Sequence, residues 1–173
     1  HYLPEVVIVN NLEFDHADIF ENLGAIQTSF KRLINLVPRN GQLLANGDDD
    51  NLAPLLNVTH CPVKRFGLGE ENSVRAFNLK LASTASEFEI PSFKFHLNMV
   101  GELNVRNALA VVACAKHCGL KNNQIQSAFA TFKGIKRRLE VRGVSGGVIV
   151  IDDFGHHPTA IRETLREIGR AHV

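Results

Sequence analysis

Two carboxylates and two imidazoles stand together in Asp152-Asp153-Phe154-Gly155-His156-His157-Pro158-Thr159. The apolar run Gly147-Val148-Ile149-Val150-Ile151 precedes them, and a helix-compatible run from Ala160 to Glu167 follows. This pattern puts the acids and imidazoles where a buried strand ends and a helix begins. In open α/β sheets ligands bind outside the carboxyl ends of the strands, so chemistry is to be sought here. A plain turn accounts for one Asp, and Pro158 suits a first helical position. Neither accounts for paired acids followed by paired imidazoles.

Three further segments carry similar potential. Glu13-Phe14-Asp15-His16-Ala17-Asp18 packs three carboxylates and an imidazole into six positions after a β-branched run. Oxygen-rich loops with one imidazole suit Mg²⁺ or Mn²⁺. Asp18 is read as the cap of the following helix, with Glu21 completing a capping box, which leaves His16 as the ligand candidate. Gly101-Glu102-Leu103-Asn104-Val105-Arg106-Asn107-Ala108 opens a helix whose two Asn residues share a face. An amide offers a donor and an acceptor together and so suits the edge of an adenine. Asn104 could equally be an N-cap, whereas Asn107 is poorly suited to a helix interior for any other reason. Lys133-Gly134-Ile135-Lys136-Arg137-Arg138 holds four cations. Lys133 and Lys136 read as a solvated face, but an Arg here can fork onto a phosphate.

The elements that must position these groups follow from periodicity. Val6–Val9, Gln42–Ala45 and Pro62–Phe66 read as strands separated by helices over Ile19–Val37 and a short stretch ending near Leu56. Such alternation implies a parallel sheet with right-handed crossovers. Between Ser73 and Asn98 the runs Ala76–Leu81, Phe88–Ile90 and Phe93–Leu97 alternate, with turns at Ser83-Thr84-Ala85 and Pro91-Ser92, predicting a small antiparallel sheet. Helical spacing returns over Asn104–Cys118 and Asn122–Phe132, and strands are expected near Leu139–Arg142 and Val148–Ile151.

Bulk properties bound the possibilities. A net charge of +1 over 173 residues offers no broad attraction to nucleic acid or anionic membrane, so neither is an expected partner. No apolar run approaches the ~20 residues of a membrane span. Cys61, Cys114 and Cys118 lack a CxxC pair, and Cys114 with Cys118 reads as a core-facing pair of small apolar residues. A reduced, cytoplasmic protein is expected. The closing Ile168-Gly169-Arg170-Ala171-His172-Val173 breaks the amphipathic pattern and is expected to be a non-native tail.

Four of these segments, in this order, resemble the central ATP-binding domain of the Mur ligases, the amide-bond enzymes of bacterial cell-wall precursor synthesis. They are Asn10 to Asp18, Gly101 to Asn107, Arg137-Arg138-Leu139-Glu140, and Asp152 to Thr159. The run Asn11-Leu12-Glu13-Phe14-Asp15-His16-Ala17-Asp18-Ile19-Phe20 is most similar to the peptidoglycan-recycling branch, and Arg138-Leu139-Glu140-Val141-Arg142-Gly143 points the same way. The branch that adds L-alanine usually has Pro and Met where this chain has Phe14 and Ala17.

The resemblance implies an α/β fold, a mostly parallel sheet with flanking helices plus a small antiparallel sheet. Residues 1–143 would be part of the central domain and 144–167 the start of the C-terminal ligase domain. It implies ATP and Mg²⁺ as cofactors, and UDP-N-acetylmuramate with a murein tripeptide as substrates. His16 would bind Mg²⁺, Asn104 and Asn107 would face the adenine, Asp153 the ribose and Arg138 the phosphates. His156 and His157 would lie beside the nucleotide and the incoming peptide, making Arg138, His156 and His157 the expected catalytic positions. Leu103 stands where the family often has His. No G-x-x-x-x-G-K-[ST] loop occurs in the chain, so the phosphate cradle is expected upstream of His1 and the chain alone is expected to be inactive. Two rival readings stand beside the ligase. One is a divalent-metal hydrolase with His16, Asp18, Asp152, His156 and His157 around one ion; the other is a non-catalytic nucleotide-binding module.

Overall fold

The computed structural model describes residues 3–57 and 59–171. Strands β1 (Val6–Val9), β2 (Gln42–Asn46), β3 (Val63–Gly67) and β4 (Val74–Arg75) form a parallel sheet in that order. Its pleat separates two cores. Leu43 and Ala45 of β2 join Val7 and Val9 of β1 on one face, under helices α1 (Leu23–Ile34) and α2 (Ala53–Leu56). Leu44 points to the other face and packs with Phe66 against helix α3 (Glu102–His117). Burial on both faces is why Leu43-Leu44-Ala45 of the central strand β2 is continuously apolar rather than alternating.

Strands β5 (Phe77–Leu81), β6 (Ser86–Ile90) and β7 (Phe93–Leu97) form the antiparallel sheet that the alternation predicts. Phe88 and Phe95 stack across it with centroids 5.3 Å apart, and Phe129 of α4 (Asn122–Thr131) meets Phe95 edge-on at 5.6 Å. Val105, Leu109 and Val112 of α3 fill the same core.

Four local expectations are corrected. Helix α1 begins at Leu23 rather than Ile19, because the carbonyl of His16 first closes a turn onto the N–H groups of Ile19 and Phe20. Asn22, not Asp18, is the N-cap, its side chain accepting from Ala25 N at 3.0 Å. The strands β8 (Glu140–Ser145) and β9 (Val148–Asp152) pair only with each other, so the expected buried strand before Asp152 is an exposed hairpin. Val144 and Val148 are 66% and 65% exposed, as an isolated two-stranded ribbon requires. Cys118 is likewise exposed at the end of α3, while Cys114 is half-buried and Cys61 buried.

The last helix, α5 (Pro158–Ala171), runs without interruption through Gly169, whereas the sequence pattern expected it to fail at residue 168; residues 172 and 173 of the presumed tail lie outside the described residues. The helix docks on the start of α3. Gly101 precedes α3 with φ +91°, and a Cβ there would come within 2.8 Å of the Glu167 carboxyl group. Replacing Gly101 by Ala therefore demands a strained backbone and a shift of the Glu167 side chain. A loss of about 1–3 kcal/mol in a urea titration is expected.

Candidate functional site

A cavity of about 1290 Å³ opens between the β1–α1 loop, the N-terminal half of α3, the loop before β8 and the β9–α5 loop. His16, Asn104, Asn107, Arg138, Asp153, His156 and His157 all line it. Four segments separated by as many as 141 positions (157 minus 16) thus face one space.

The β1–α1 loop is held from below. Asp49, just beyond β2, accepts from the N–H of buried Leu12 at 2.7 Å and from Asn51 N at 2.9 Å. Asn51 in turn donates to the carbonyl of Leu12 at 2.8 Å. Beyond this clamp the chain turns at His16, which adopts φ +54° and projects a largely exposed imidazole. Asp15 beside it is held below the usual carboxylate range, first by the backbone N–H of His16 and then by the charges of His16, His157 and His156. One carboxylate therefore sits among three imidazoles.

His157 ties the two sides of the cavity together. Its Nδ1 lies 3.2 Å from Glu13 Oε2 and its Nε2 lies 3.2 Å from the carbonyl of Phe14. Both nitrogens face acceptors, so the imidazolium satisfies both and a neutral ring only one. His156 stays on its own segment, with its ring edge-on to Phe154 at 5.3 Å.

On α3, Asn104 occupies the third helical position, not the N-cap, and its amide donates back to the carbonyl of Val100 at 2.7 Å. Asn107 accepts a long 3.3 Å bond from Asn10, leaving its own NH₂ for a ligand. Between them Arg106 bonds Asp48 at 2.7 Å and Glu102 at 3.0 Å. Asp48 also accepts from Leu68 N, Gly69 N and Asn72, at 2.6, 3.0 and 2.6 Å. Burial would raise its pKa, but these donors and the Arg106 charge outweigh that and leave it below the ordinary value.

The basic loop divides its labour. Arg137 takes φ +59°, lies 3.6 Å from Asp152 and covers the Phe154 ring at 4.9 Å. Arg138 is exposed on the cavity wall and makes no hydrogen bond or ion pair among the described residues. Asp153 accepts from Leu139 N at 2.9 Å and from Gly155 N at 2.6 Å, so its carboxylate also pins the two loops to each other.

The metal-hydrolase arrangement is not assembled. Asp152 faces Arg137 and Arg142, and among the described residues no three His, Cys, Asp or Glu side chains are placed to hold one ion. His16 with Asp15 could supply one or two donors. Such a partial set fits Mg²⁺, which keeps waters and takes substrate phosphates, better than an ion needing a protein-built cage. The sequence reading passed over Asp48, Asp49 and Arg106. The triple Asp at the carboxyl end of a parallel strand was the available signal.

An α/β sheet presenting loops from its strand ends to a nucleotide-sized cavity defines a fold that binds ligands at that edge. The family described as the Mur ligase middle domain matches residues 2–115, and the chain belongs to this family. It is 41% identical over 95% of its length to the UDP-N-acetylmuramate–L-alanyl-γ-D-glutamyl-meso-2,6-diaminoheptandioate ligase of Escherichia coli K12, covering 36% of that protein. It is 34% identical over 95% of its length to the UDP-N-acetylmuramate–L-alanine ligase of Clostridium acetobutylicum, covering 37%. The chain thus spans little more than a third of these relatives. The MurF ligase of Thermotoga maritima, solved in complex with ADP, shares the fold with a TM-score of 0.79 at 19% identity, over 96% of this chain and 39% of that one.

Proposed function

We propose that this chain is the nucleotide-handling part of an ATP-dependent amide ligase that joins the murein tripeptide L-Ala-γ-D-Glu-meso-diaminopimelate to UDP-N-acetylmuramate. The observation that carries it is the convergence of His16, Asn104, Asn107, Arg138 and Asp153 on one cavity. Its volume exceeds the roughly 300–1,000 Å³ of an ordinary small-molecule site, leaving room for a nucleotide and part of a second substrate.

In this reading Asn104 and Asn107 hold the adenine edge, and Asp153 holds the ribose while pinning the loop that carries Arg138. His16 holds Mg²⁺, which when bound offsets phosphate charge. The γ-phosphoryl group passes to the lactoyl carboxylate, forming an acyl phosphate and ADP. The peptide amine then attacks that carbonyl, and phosphate leaves from a tetrahedral intermediate. Arg138 stabilises the charge on the moving phosphoryl group, and His157 keeps the two walls of the cavity in register. Most of the acceleration comes from such positioning and charge complementarity. Residues 1–143 belong to the central domain and 144–167 open the next one, with the β8–β9 hairpin straddling the boundary. The setting is the bacterial cytoplasm.

L-alanine is the second candidate for the joined amine, because relatives of both specificities align along nearly the whole chain. The complete enzyme should release phosphate from ATP with UDP-N-acetylmuramate and the tripeptide, at least about tenfold faster than with L-alanine, a preference of ~1.4 kcal/mol. Equal or reversed rates would assign the alanine-adding activity instead. Turnover of simple phosphoesters without a carboxylate acceptor would overturn the ligase reading.

A further inference from the structure

We infer that Asp49, with Asn51 as its partner, is a positioning residue that aims His16 into the cavity. The inference rests on the ligase reading for its functional consequence, and on the hydrogen bonds alone for the positioning itself.

Strand β1 leaves the sheet after Val9, whose ladder partner is Ala45. A chain leaving a sheet loses its regular partners, and its next backbone groups must be satisfied some other way. At Leu12 they are satisfied by side chains of the loop that follows β2. Asp49 Oδ2 takes the N–H at 2.7 Å and Asn51 Nδ2 gives to the carbonyl at 2.8 Å. The second oxygen of Asp49 accepts from Asn51 N at 2.9 Å, and Gln27 of α1 donates to the Asn51 carbonyl at 2.9 Å. The two side chains thus stand in for a neighbouring strand at one residue, and α1 braces them.

Packing fixes the same point. Leu12 is 1% exposed and Leu52 fully buried, both in the core beneath α1. Past Leu12 the loop is met from across the cavity by His157, at Glu13 Oε2 and the Phe14 carbonyl, and the next residues reach the left-handed turn at His16. Asp49 and Asn51 hold the root of this loop, so the direction they set at Leu12 is carried towards the imidazole. Asp49 does not line the cavity, so it acts through the loop and not on the ligand. Neighbouring Asp48 serves another purpose, bonding Arg106 and the β3–β4 loop. The paired acids thus divide the site: Asp48 secures the α3 wall and Asp49 the β1 wall.

The test uses the complete ligase with Asp49→Ala, Asp49→Asn and Asn51→Ala, and with His16→Ala as a reference. Amide hydrogen exchange of the ligand-free proteins reports positioning directly. In Asp49→Ala, exchange at residues 12–18 should accelerate at least about tenfold while α3 is unchanged, because the loop opens locally and not with the whole fold. Asn51→Ala should give a smaller acceleration over the same residues, and serves if Asp49→Ala does not fold. Asp49→Asn, which keeps one carbonyl oxygen for Leu12 N, should fall between wild type and Asp49→Ala.

Titration with ADP, with and without Mg²⁺, reports the consequence. The Mg²⁺-dependent gain in affinity should drop about tenfold, as when an outer partner of a metal ligand is lost, while metal-free ADP binding holds within about twofold. In a His16→Ala background, Asp49→Ala should add little to that drop, since both act on one group. Unaltered exchange at residues 12–18 overturns the positioning role, as does an ADP loss of equal size with and without Mg²⁺. If His16→Ala itself leaves the Mg²⁺ gain intact, the metal assignment of His16 fails, and the exchange data still decide whether Asp49 positions the loop.

Discussion

Alanine at position 48 is expected to cost about 2–4 kcal/mol of folding free energy, the largest stability loss of any single site change considered for this chain. The Asp48 side chain is 16% exposed and that of Arg106 is 28% exposed, so neither is freely solvated. Removing the carboxylate would take an acceptor from four donors at once: Leu68 N and Gly69 N, the Asn72 amide, which keeps the Gly69 carbonyl, and the Arg106 guanidinium, which keeps Glu102. Gly67 and Gly69 lie so close to the Asp48 carboxylate that a Cβ on either would fall within 3 Å of it, so the loop is built around this group. Because the native carboxyl titrates below its ordinary 3.8, folding favours the ionised form. Its contribution is complete above that ordinary value and is lost as pH falls through the lower native one. Urea titrations of wild type and Asp48→Asn should therefore differ clearly at neutral pH and converge as pH falls through the depressed native value. A difference that stays constant into acid would refute the charge-based account and leave only packing. Freed from Asp48, Arg106 would also disturb the wall that carries Asn104 and Asn107, so nucleotide affinity should fall with stability in this variant.

Much of the fold was legible because each sheet prints its own period on the chain. Leu43-Leu44-Ala45 is apolar at every position since both faces of β2 are covered, and Phe88-Glu89-Ile90 alternates since one face is solvated. Runs of this kind fail when the partner is not what the pattern assumes. Gly147 to Ile151 reads as a buried strand, yet the run pairs only with Glu140–Ser145 and leaves its valines in solvent. Apolarity reported a strand there but not its burial.

The site was legible to the degree that residue type alone restricts chemistry. His16, the Asn pair and the Asp-Asp…His-His run are unusual enough in sequence to be noticed, and the cavity unites them. Asp48, Asp49 and Arg106 were not noticed because their roles are relational. An Asp after a strand is an ordinary turn residue until one sees which distant N–H groups it receives. The cap of α1 failed for a similar reason. Asp18 and Asn22 are both competent caps, and a left-handed turn at His16, invisible in composition, gave the role to the second.

Replacing Arg138 with alanine should lower kcat of the complete ligase about 10²- to 10³-fold, as loss of one preorganised donor to a developing charge does, with folding stability within ~0.5 kcal/mol of wild type. The neighbouring arginine supplies the contrast. Arg137 spends its guanidinium on Asp152 and the Phe154 face, and its backbone carbonyl accepts from Phe154 N at 2.8 Å. Its substitution should disturb the hairpin and barely touch the rate. Arg138 has no such engagement among the described residues, while its backbone is anchored beside it, because Leu139 N is bonded to Asp153. A cation on an anchored backbone without a protein partner is suited to a charge that appears only during reaction, since it need not break an ion pair to respond. Lysine at 138 should restore only part of the rate, as a point charge lacks the planar fork that meets two phosphate oxygens. ADP affinity should change far less than kcat, because the product carries no transferring phosphoryl group. If Arg138→Ala weakens ADP binding as much as it slows turnover, the residue contributes ground-state binding only, and the phosphoryl-stabilising role assigned to it is wrong.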